Sequence, residues 1–264
     1  MKRQILLTTN NTKTIKGAKL GYKTYIMYLS PYTQNSQGIN LCSHASAGCA
    51  SACLFGSGRG GMFSMVEEAR KKKTEYFLSS RTEFMFQLQT EIEKAVRVNK
   101  DKAIVTIRLN GTSDIPFEKY RVFEGGKNIF EMFPDVQFYD YTKNHIRFMK
   151  ELPKNYHLTF SRSETNHDKA IELLNKGFNV AMVFDKTPTE FEGFEVINGD
   201  NDDLRFLDKK NVIVGLKYKK LTGKGADNTE AFISGFAIKV PISTAAIIEK
   251  LEVVYGNVKE KELV

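Results

Sequence analysis

The sequence predicts an α/β fold with a mainly parallel sheet, in the form of an open or partial β/α barrel of about six strands. After residue 102, short apolar runs alternate with polar turns and helical stretches, a pattern typical of parallel strands joined by right-handed crossovers. The hydrophobic share of 41%, with 19 Phe and 11 Tyr, supplies enough side chains for a core. No proline-rich linker or internal repeat divides the chain, so residues 1–264 are predicted to form one domain.

Six runs are short enough for buried strands, and the first is rich in the β-branched and aromatic residues that favour a pleated surface. They cover residues 23–29, 103–109, 136–141, 156–160, 180–184 and 212–216. Helices are predicted over 63–78, 84–96 and 168–175, with Ser80 or Thr82 as the N-cap of the second. Six strands suit an open barrel better than a complete eight-fold one.

Composition also bears on the compartment and the partners of the chain. No apolar run is long enough for a membrane span or a signal peptide, so we expect a cytoplasmic protein with no membrane partner. The 39 basic and 31 acidic side chains give a net charge of +8, which attracts polyanions. Because the excess lysines are scattered along the chain, a solvated surface explains most of them. We expect weak, non-specific nucleic-acid binding at most.

The three cysteines, Cys42, Cys49 and Cys53, lie within twelve residues, and the rest of the chain has none. A disulfide framework is not distributed in this way. Small residues fill the loop between the thiols and leave room for an inorganic cube, while Cys49 and Cys53 could share one face of a helical turn. Backbone N–H groups that open this helix could also bond the cluster sulfides. The pattern therefore predicts one [4Fe-4S] cluster, with three irons held by thiolates and one iron open.

Zinc is the main competing metal for this loop. His44 could complete a Cys₃His set, because structural zinc sites are usually four-coordinate. However, His44 is only two residues from Cys42, which is tighter than common zinc spacings, and the chain has no second knuckle. The glycine-rich residues 56–61 that follow lack the lysine of a P-loop and do not match the dinucleotide fingerprint, so they are interpreted as a connector. We define the cysteine cluster loop as residues 38–61.

Polar side chains collect after the carboxyl ends of the predicted strands. Among them are Asp114, Lys143, Ser161 and Lys217. In open α/β sheets and barrels this edge is where ligands bind. Lys143 and Lys217 would hold a carboxylate or phosphate, Asp114 an amine or hydroxyl, and Ser161 would help to position the ligand. Because the cysteine loop follows the first long strand, we expect it at the same edge.

Several blocks in order along the chain resemble the phage gene-product-eighty-eight family. They are residues 38–42 with the two following cysteines, 108–114, 134–143 and 212–217. The resemblance implies a virus-encoded protein in the host cytoplasm whose cysteines ligate a cluster. The chain departs from the family pattern at Asn110 and Ser113, where a His and a Gly stand, and it lacks the C-terminal cysteines of many members. A second metal site is therefore not implied.

The arrangement is also similar to that of radical S-adenosylmethionine enzymes, in which three cysteines after the first strand of a partial barrel leave one iron for a ligand. Their cysteines are separated by three and then two residues, whereas here six and then three intervene. The resemblance implies S-adenosylmethionine as a candidate cofactor.

Three functions remain open from the sequence. The first is an iron-sulfur enzyme whose open iron binds a small molecule, with radical S-adenosylmethionine chemistry as one form. The second is electron transfer or redox sensing, which requires no ligand pocket. The third is a zinc- or cluster-stabilised nucleic-acid-binding module that uses the positive charge. The sequence does not name a substrate, the fourth cluster ligand or an oligomeric state.

Overall fold

The computed structural model describes residues 4–9, 12–56, 63–222 and 227–241. Over these residues it has a ten-stranded, mainly parallel sheet and seven α-helices. The strands are β1 (Leu7–Thr8), β2 (Tyr22–Met27), β3 (Ile104–Arg108), β4 (Gln137–Thr142), β5 (Tyr156–Ser161), β6 (Val180–Phe184), β7 (Glu190–Phe191), β8 (Phe194–Asn198), β9 (Ile213–Lys217) and β10 (Ala237–Ile238). The helices are α1 (Thr12–Ala18), α2 (Ala47–Ser51), α3 (Ser64–Ser79), α4 (Arg81–Asn99), α5 (Ile129–Met132), α6 (His167–Asn175) and α7 (Glu230–Ile233).

The strands follow the order β1-β2-β3-β4-β5-β6-β9-β8-β7, and β10 also pairs with β6. Strands β2 to β6 are neighbours in chain order and run parallel, as do β6–β9, β9–β8 and β6–β10. Only the pairs β1–β2 and β7–β8 are antiparallel among the described strands. The path has two ends, so the sheet is open and does not close into a barrel.

The six predicted strands are confirmed as β2, β3, β4, β5, β6 and β9, and they are six consecutive neighbours in the sheet. The predicted count of six is too low, because the sheet also contains β1, β7, β8 and β10. Three of these have only two residues, which is too short for a period-two pattern to appear in the sequence. A parallel α/β sheet is thus confirmed, but a six-stranded barrel is not.

Helices α3, α4 and α6 pack against the sheet and enclose two apolar clusters. The larger cluster lies between α3, α4 and strands β2 to β5, and includes Phe77, Phe84 and Phe138. The second joins α6 to β5, β6 and β9. All three predicted helices are confirmed as α3, α4 and α6. Ser80 is the N-cap of α4 as predicted, although its side chain makes no capping hydrogen bond.

The opposite face of β2, β3 and β4 is covered by the chain itself. Arg108 of β3 pairs with Asp203 at 2.5 Å, and both side chains are buried. Phe206 packs against Tyr22 and Tyr139, with 5.4 Å between ring centroids in each pair. The segment 203–206 therefore covers this face of β2, β3 and β4.

One buried carboxylate makes the stability of the sheet depend on pH. Asp140 of β4 is fully buried and accepts hydrogen bonds from the Asn110 N–H at 2.9 Å and the Tyr156 hydroxyl at 3.1 Å. Burial raises the pKa of Asp140 to about 6, although the nearby Arg108 and Arg147 oppose the shift. The folded state therefore holds this proton more tightly than the unfolded chain does.

Replacing Asp140 by Asn should remove this pH dependence. A raised carboxyl pKa contributes stability that is fully present below the unfolded pKa and is lost as pH rises through the folded value. Relative to Asp140→Asn, the free energy of unfolding of the unchanged protein should fall by about 2 kcal/mol between pH 4 and 7. Urea unfolding at several pH values measures this difference. The exposed Asp135 provides the control, since Asp135→Asn should leave the profile unchanged. Parallel profiles for the unchanged protein and Asp140→Asn would contradict the assignment.

Candidate metal centre

Cys42 lies in the connection that follows β2, against the loop that follows β3. Its Sγ lies 3.6 Å from the Thr112 carbonyl oxygen, and the Tyr32 backbone N–H donates to the sulfur. Tyr32 has a positive φ of 52°, which is unusual for a residue with a side chain. Burial above all, together with the charges of Cys53, Asp114 and Cys49, raises the pKa of the Cys42 thiol to about 12. Without a cation at the sulfur, Cys42 is a neutral thiol at pH 7.

Cys49 is carried by the short helix α2, which is fixed at its start. Ser46 is the N-cap and accepts a hydrogen bond from the Cys49 N–H. The Glu164 carboxylate accepts bonds from the Ser46 hydroxyl and the Gly48 N–H, both at 2.7 Å. A Cβ at Gly48 would lie 2.5 Å from Ser234 Oγ, so only glycine permits this approach. The N–H groups of Gly48 and Cys49 at the start of α2 thus already have acceptors within the protein. N–H groups that open this helix were expected to bond cluster sulfides.

Cys53 follows α2 directly, so α2 sets its distance from Cys49. Burial raises the pKa of the Cys53 thiol, while the Phe55 N–H, Lys143 and Arg70 oppose that rise. Each of the three cysteines is partly buried and has no disulfide partner. Cys49 and Cys53 both act electrostatically on Cys42. The structure thus places Cys49 and Cys53 within electrostatic reach of Cys42, and the cations Lys143 and Arg70 within reach of Cys53.

Arg70 is a member of this site that the sequence analysis missed. It lies on α3, and its guanidinium carbon is 5.0 Å from the Tyr28 ring centroid and 5.1 Å from that of Phe55. Its Nη1 is buried and has no hydrogen-bond partner among the described residues. In the sequence Arg70 stands beside Lys71 and the other lysines of a basic run, which resembles a solvated face. Only its packing against the cysteine loop distinguishes it from them.

Lys143 and Ser161, two of the predicted ligand residues, are in contact. Lys143 follows β4 and donates from Nζ to the Ser161 hydroxyl at 2.8 Å. The ammonium also lies 5.7 Å from the centroid of the Phe236 ring. Since Lys143 acts electrostatically on Cys53, the carboxyl ends of β4 and β5 place both residues beside the thiols.

Asp114 also reaches this region, but both of its carboxylate oxygens have protein partners. Its Oδ2 accepts from the Lys143 N–H at 2.9 Å, and Oδ1 lies 3.4 Å from Arg147 Nη1. The Asp114 N–H donates to the Leu41 carbonyl, which ties the loop after β3 to the residue before Cys42. In this structure Asp114 orients Lys143 and the cysteine loop.

Within the described part of the chain, Lys217 and His44 make no contact with the cysteines, Lys143 or Ser161. Lys217 is exposed at the end of β9, and its backbone N–H donates to Asp200 Oδ2 at 2.8 Å. His44 is exposed, with 3.0 Å between its Nδ1 and the Ser43 hydroxyl. Residues 57–61 of the cysteine cluster loop, which include most of the glycine-rich connector, lie outside the described residues.

The described residues contain no group of three or more His, Cys, Asp or Glu side chains arranged to hold a metal ion. Within the same residues, no helix has both the length and the apolar character to cross a membrane.

The fold and this site define an α/β protein that carries a group of three cysteines at the carboxyl edge of an open parallel sheet. The chain belongs to the Gene product 88 family, whose model matches residues 5–235. This match confirms the resemblance drawn from the cysteine block and the later sequence blocks. No curated protein and no solved structure matches the chain.

Removing the carboxylate that fixes α2 should destabilise the protein. Glu164→Ala leaves the Ser46 hydroxyl and the Gly48 N–H without their acceptor, and each hydrogen bond to a charged group is worth roughly 1.5–3 kcal/mol. We expect a loss of about 2 kcal/mol in the free energy of unfolding, measured by urea denaturation. Glu151 is an exposed carboxylate, and Glu151→Ala should stay within about 0.5 kcal/mol of the unchanged protein. Equal stability of the two variants would show that Glu164 does not hold α2.

Proposed function

We propose that this protein binds one [4Fe-4S] cluster through Cys42, Cys49 and Cys53. The observation that carries the proposal is that three partly buried thiols, from the β2 connection, from α2 and from the residues just after α2, lie near enough for Cys49 and Cys53 to act electrostatically on Cys42. Such a cluster does not require its thiolates to share one point, because each of the three binds a different iron. The cysteine connection and the polar strand ends lie at the edge where open α/β sheets bind ligands.

The charges around the thiols suit an anionic group. Three thiolates carry more negative charge than the core of the cluster offsets, and burying such a charge is costly unless cations or N–H donors face it. Arg70 and Lys143 are cations that act on Cys53, and Arg70 Nη1 is a buried donor without a partner in the described chain. The Tyr32 and Phe55 N–H groups point to two of the sulfurs. These cations and N–H donors stabilise an anionic cluster bound to the cysteines more than they stabilise three neutral thiols.

In this proposal the three cysteines hold the cluster and the remaining residues tune its surroundings. A bound cluster would supply an iron that accepts a ligand, or a centre that accepts and releases one electron. Arg70 and Lys143 would favour the more negative oxidation state. Asp114 would fix the Lys143 backbone through its N–H, and Ser161 would fix the ammonium.

The first form of the function is a small-molecule enzyme, with S-adenosylmethionine as the ligand to test and a radical mechanism as the candidate chemistry. Lys143 is the residue best placed to meet the carboxylate of such a ligand, because its ammonium lies in the group that acts on Cys53. Ser161 would exchange its bond with Lys143 for one with the ligand. Lys217 has a weaker claim, since it is exposed and bound through its backbone to Asp200.

Electron transfer or redox sensing is the second form, and one observation favours it. Asp114 and Lys143 already satisfy each other and their neighbours, which leaves fewer unpaired groups for a ligand. A third form, nucleic-acid binding stabilised by zinc or a cluster, rests on the net charge of +8 and on surface aromatic side chains. In each form we place the protein in the cytoplasm of a virus-infected host.

The first test of the proposal is metal content. Protein purified without oxygen should be brown and carry about four irons and four sulfides per chain. Replacing Cys42, Cys49 or Cys53 by Ala should abolish the cluster. The matched control is His44→Ala, which should keep most of the iron because this side chain is exposed and bonded to Ser43. Stoichiometric zinc without acid-labile sulfide would refute the cluster, and equal loss from the histidine change would make His44 a ligand.

A second test separates the enzyme from the electron-transfer protein. In the enzyme, S-adenosylmethionine should perturb the paramagnetic resonance spectrum of the reduced cluster. Lys143→Ala should keep the iron but weaken this response at least fivefold, and Asp114→Asn should weaken it less, because Asp114 acts through Lys143. Lys217→Ala provides the comparison at an exposed strand end. An unperturbed spectrum in the unchanged protein would favour electron transfer.

A further inference from the structure

A cleft of about 380 Å³ lies beyond the carboxyl ends of β5 and β10, apart from the three cysteines. Its walls come from the segment after β5, the start of α6, the β7 turn, α7 and β10. The side chains that matter here are Arg162, His167, Phe191, Glu192, Phe232 and Lys239. The volume is within the range of small-molecule sites. No cysteine lines the cleft, and none of the predicted ligand residues does so.

Arg162 is the fixed cation of this cleft. It is partly buried, and its Nη1 donates to the carbonyl oxygens of Gly235 and Phe236, the latter at 3.1 Å. Its Nε lies 3.4 Å from His167 Nδ1. No described residue accepts a hydrogen bond from Nη2. The guanidinium is therefore held in place while one of its nitrogens remains available.

The histidine and the carboxylate in the cleft are paired with each other. A guanidinium donates to His167 Nδ1, so the neutral imidazole carries its proton on Nε2. That nitrogen lies 3.7 Å from Glu192 Oε1. Lys239 is exposed and makes no hydrogen bond or ion pair with any described residue. Neither Arg162 nor Lys239 forms a salt bridge with a carboxylate that lines the cleft, although the charge of Glu164 acts on Arg162 from outside it.

The remaining walls are apolar. The Phe232 ring is partly exposed, with the Lys239 ammonium 5.8 Å from its centroid and Tyr218 packed at its edge. Phe191 is partly exposed on the other side of the cleft and packs edge-on against Phe184. The free Nη2 of Arg162 and the Lys239 ammonium, beside two phenyl rings, suit a ligand with both an anionic and a flat apolar part.

We infer that this cleft binds a small organic anion with an aromatic or heteroaromatic body, of the class of a nucleoside monophosphate. Arg162 Nη2 and Lys239 Nζ hold the anionic group, as charge-assisted donors do for phosphate and carboxylate. The Phe191 and Phe232 rings cover the flat body, which contributes apolar burial in addition to charge. The inference does not depend on the proposed cluster, because none of the three cysteines lines the cleft.

The test is calorimetric titration of the full-length protein with adenosine 5′-monophosphate, adenosine and inorganic phosphate. We expect the monophosphate to bind at least tenfold more tightly than either of the other two, because only it contains both parts. Lys239→Ala and Phe232→Leu should each weaken binding at least fivefold. Lys239→Ala removes no hydrogen bond or ion pair of the described residues, and Phe232→Leu keeps an apolar side chain against the cluster around Ala237. Both variants should therefore keep the circular dichroism of the unchanged protein. Arg162→Lys should weaken binding further, because lysine cannot hold both carbonyls and the ligand.

Two controls connect the result to the cleft. Lys210→Ala removes an exposed lysine outside the cleft and should leave the affinity unchanged. Cys42→Ala, which should lose the proposed cluster, should still bind the monophosphate, so the two proposals can fail separately. Absent binding, equal affinity for inorganic phosphate, or an equal effect of Lys210→Ala and Lys239→Ala would overturn the inference.

Discussion

The parallel direction of the strands from β2 to β6 is the constraint on which the rest of this structure depends. Because each strand runs the same way, the segments after them all emerge at one edge. Residues that are more than a hundred positions apart thereby meet. Glu164 of the β5–α6 loop bonds Gly48 across such a distance, and Lys143 acts on Cys53. An antiparallel sheet would send half of these segments to the opposite edge.

The thiol site balances burial against charge. Burial raises the pKa of Cys42 to about 12, which alone would leave this thiol protonated and unreactive at pH 7. Arg70 and Lys143 act in the opposite direction on Cys53, as does the N–H of Phe55. A metal group would displace the thiol protons, and these cations would then face its negative charge. Arg70, Lys143 and the Phe55 N–H thus interact most favourably with the Cys53 sulfur when it is ionised.

The segment 235–238 connects the metal site with the cleft. On one side, the Phe236 ring packs with Ala52 and Cys49 and lies near the Lys143 ammonium. On the other side, Arg162 binds the carbonyl oxygens of Gly235 and Phe236. One short strand on β6 therefore forms a wall of both sites. A change in the position of Arg162 would reach the cysteine helix through a single layer of backbone.

The sequence by itself determined the α/β class, the six central strands and the cysteines as the candidate metal ligands. These features are local, since an apolar run of five residues or three thiols within one loop can be read without a partner. Family membership also follows from ordered local blocks and is confirmed by the family match over residues 5–235.

The roles of Arg70, Asp114 and Lys217 were decided only by the tertiary structure. Arg70 stands in a basic run of the sequence, but it packs against the Tyr28 and Phe55 rings. The Asp114 carboxylate accepts hydrogen bonds from Lys143 and Arg147. Lys217 remains exposed. Three of the four additional strands have only two residues, too few to leave a pattern in the sequence. The cleft at Arg162 was also invisible there, because it depends on contacts between segments that are distant along the chain.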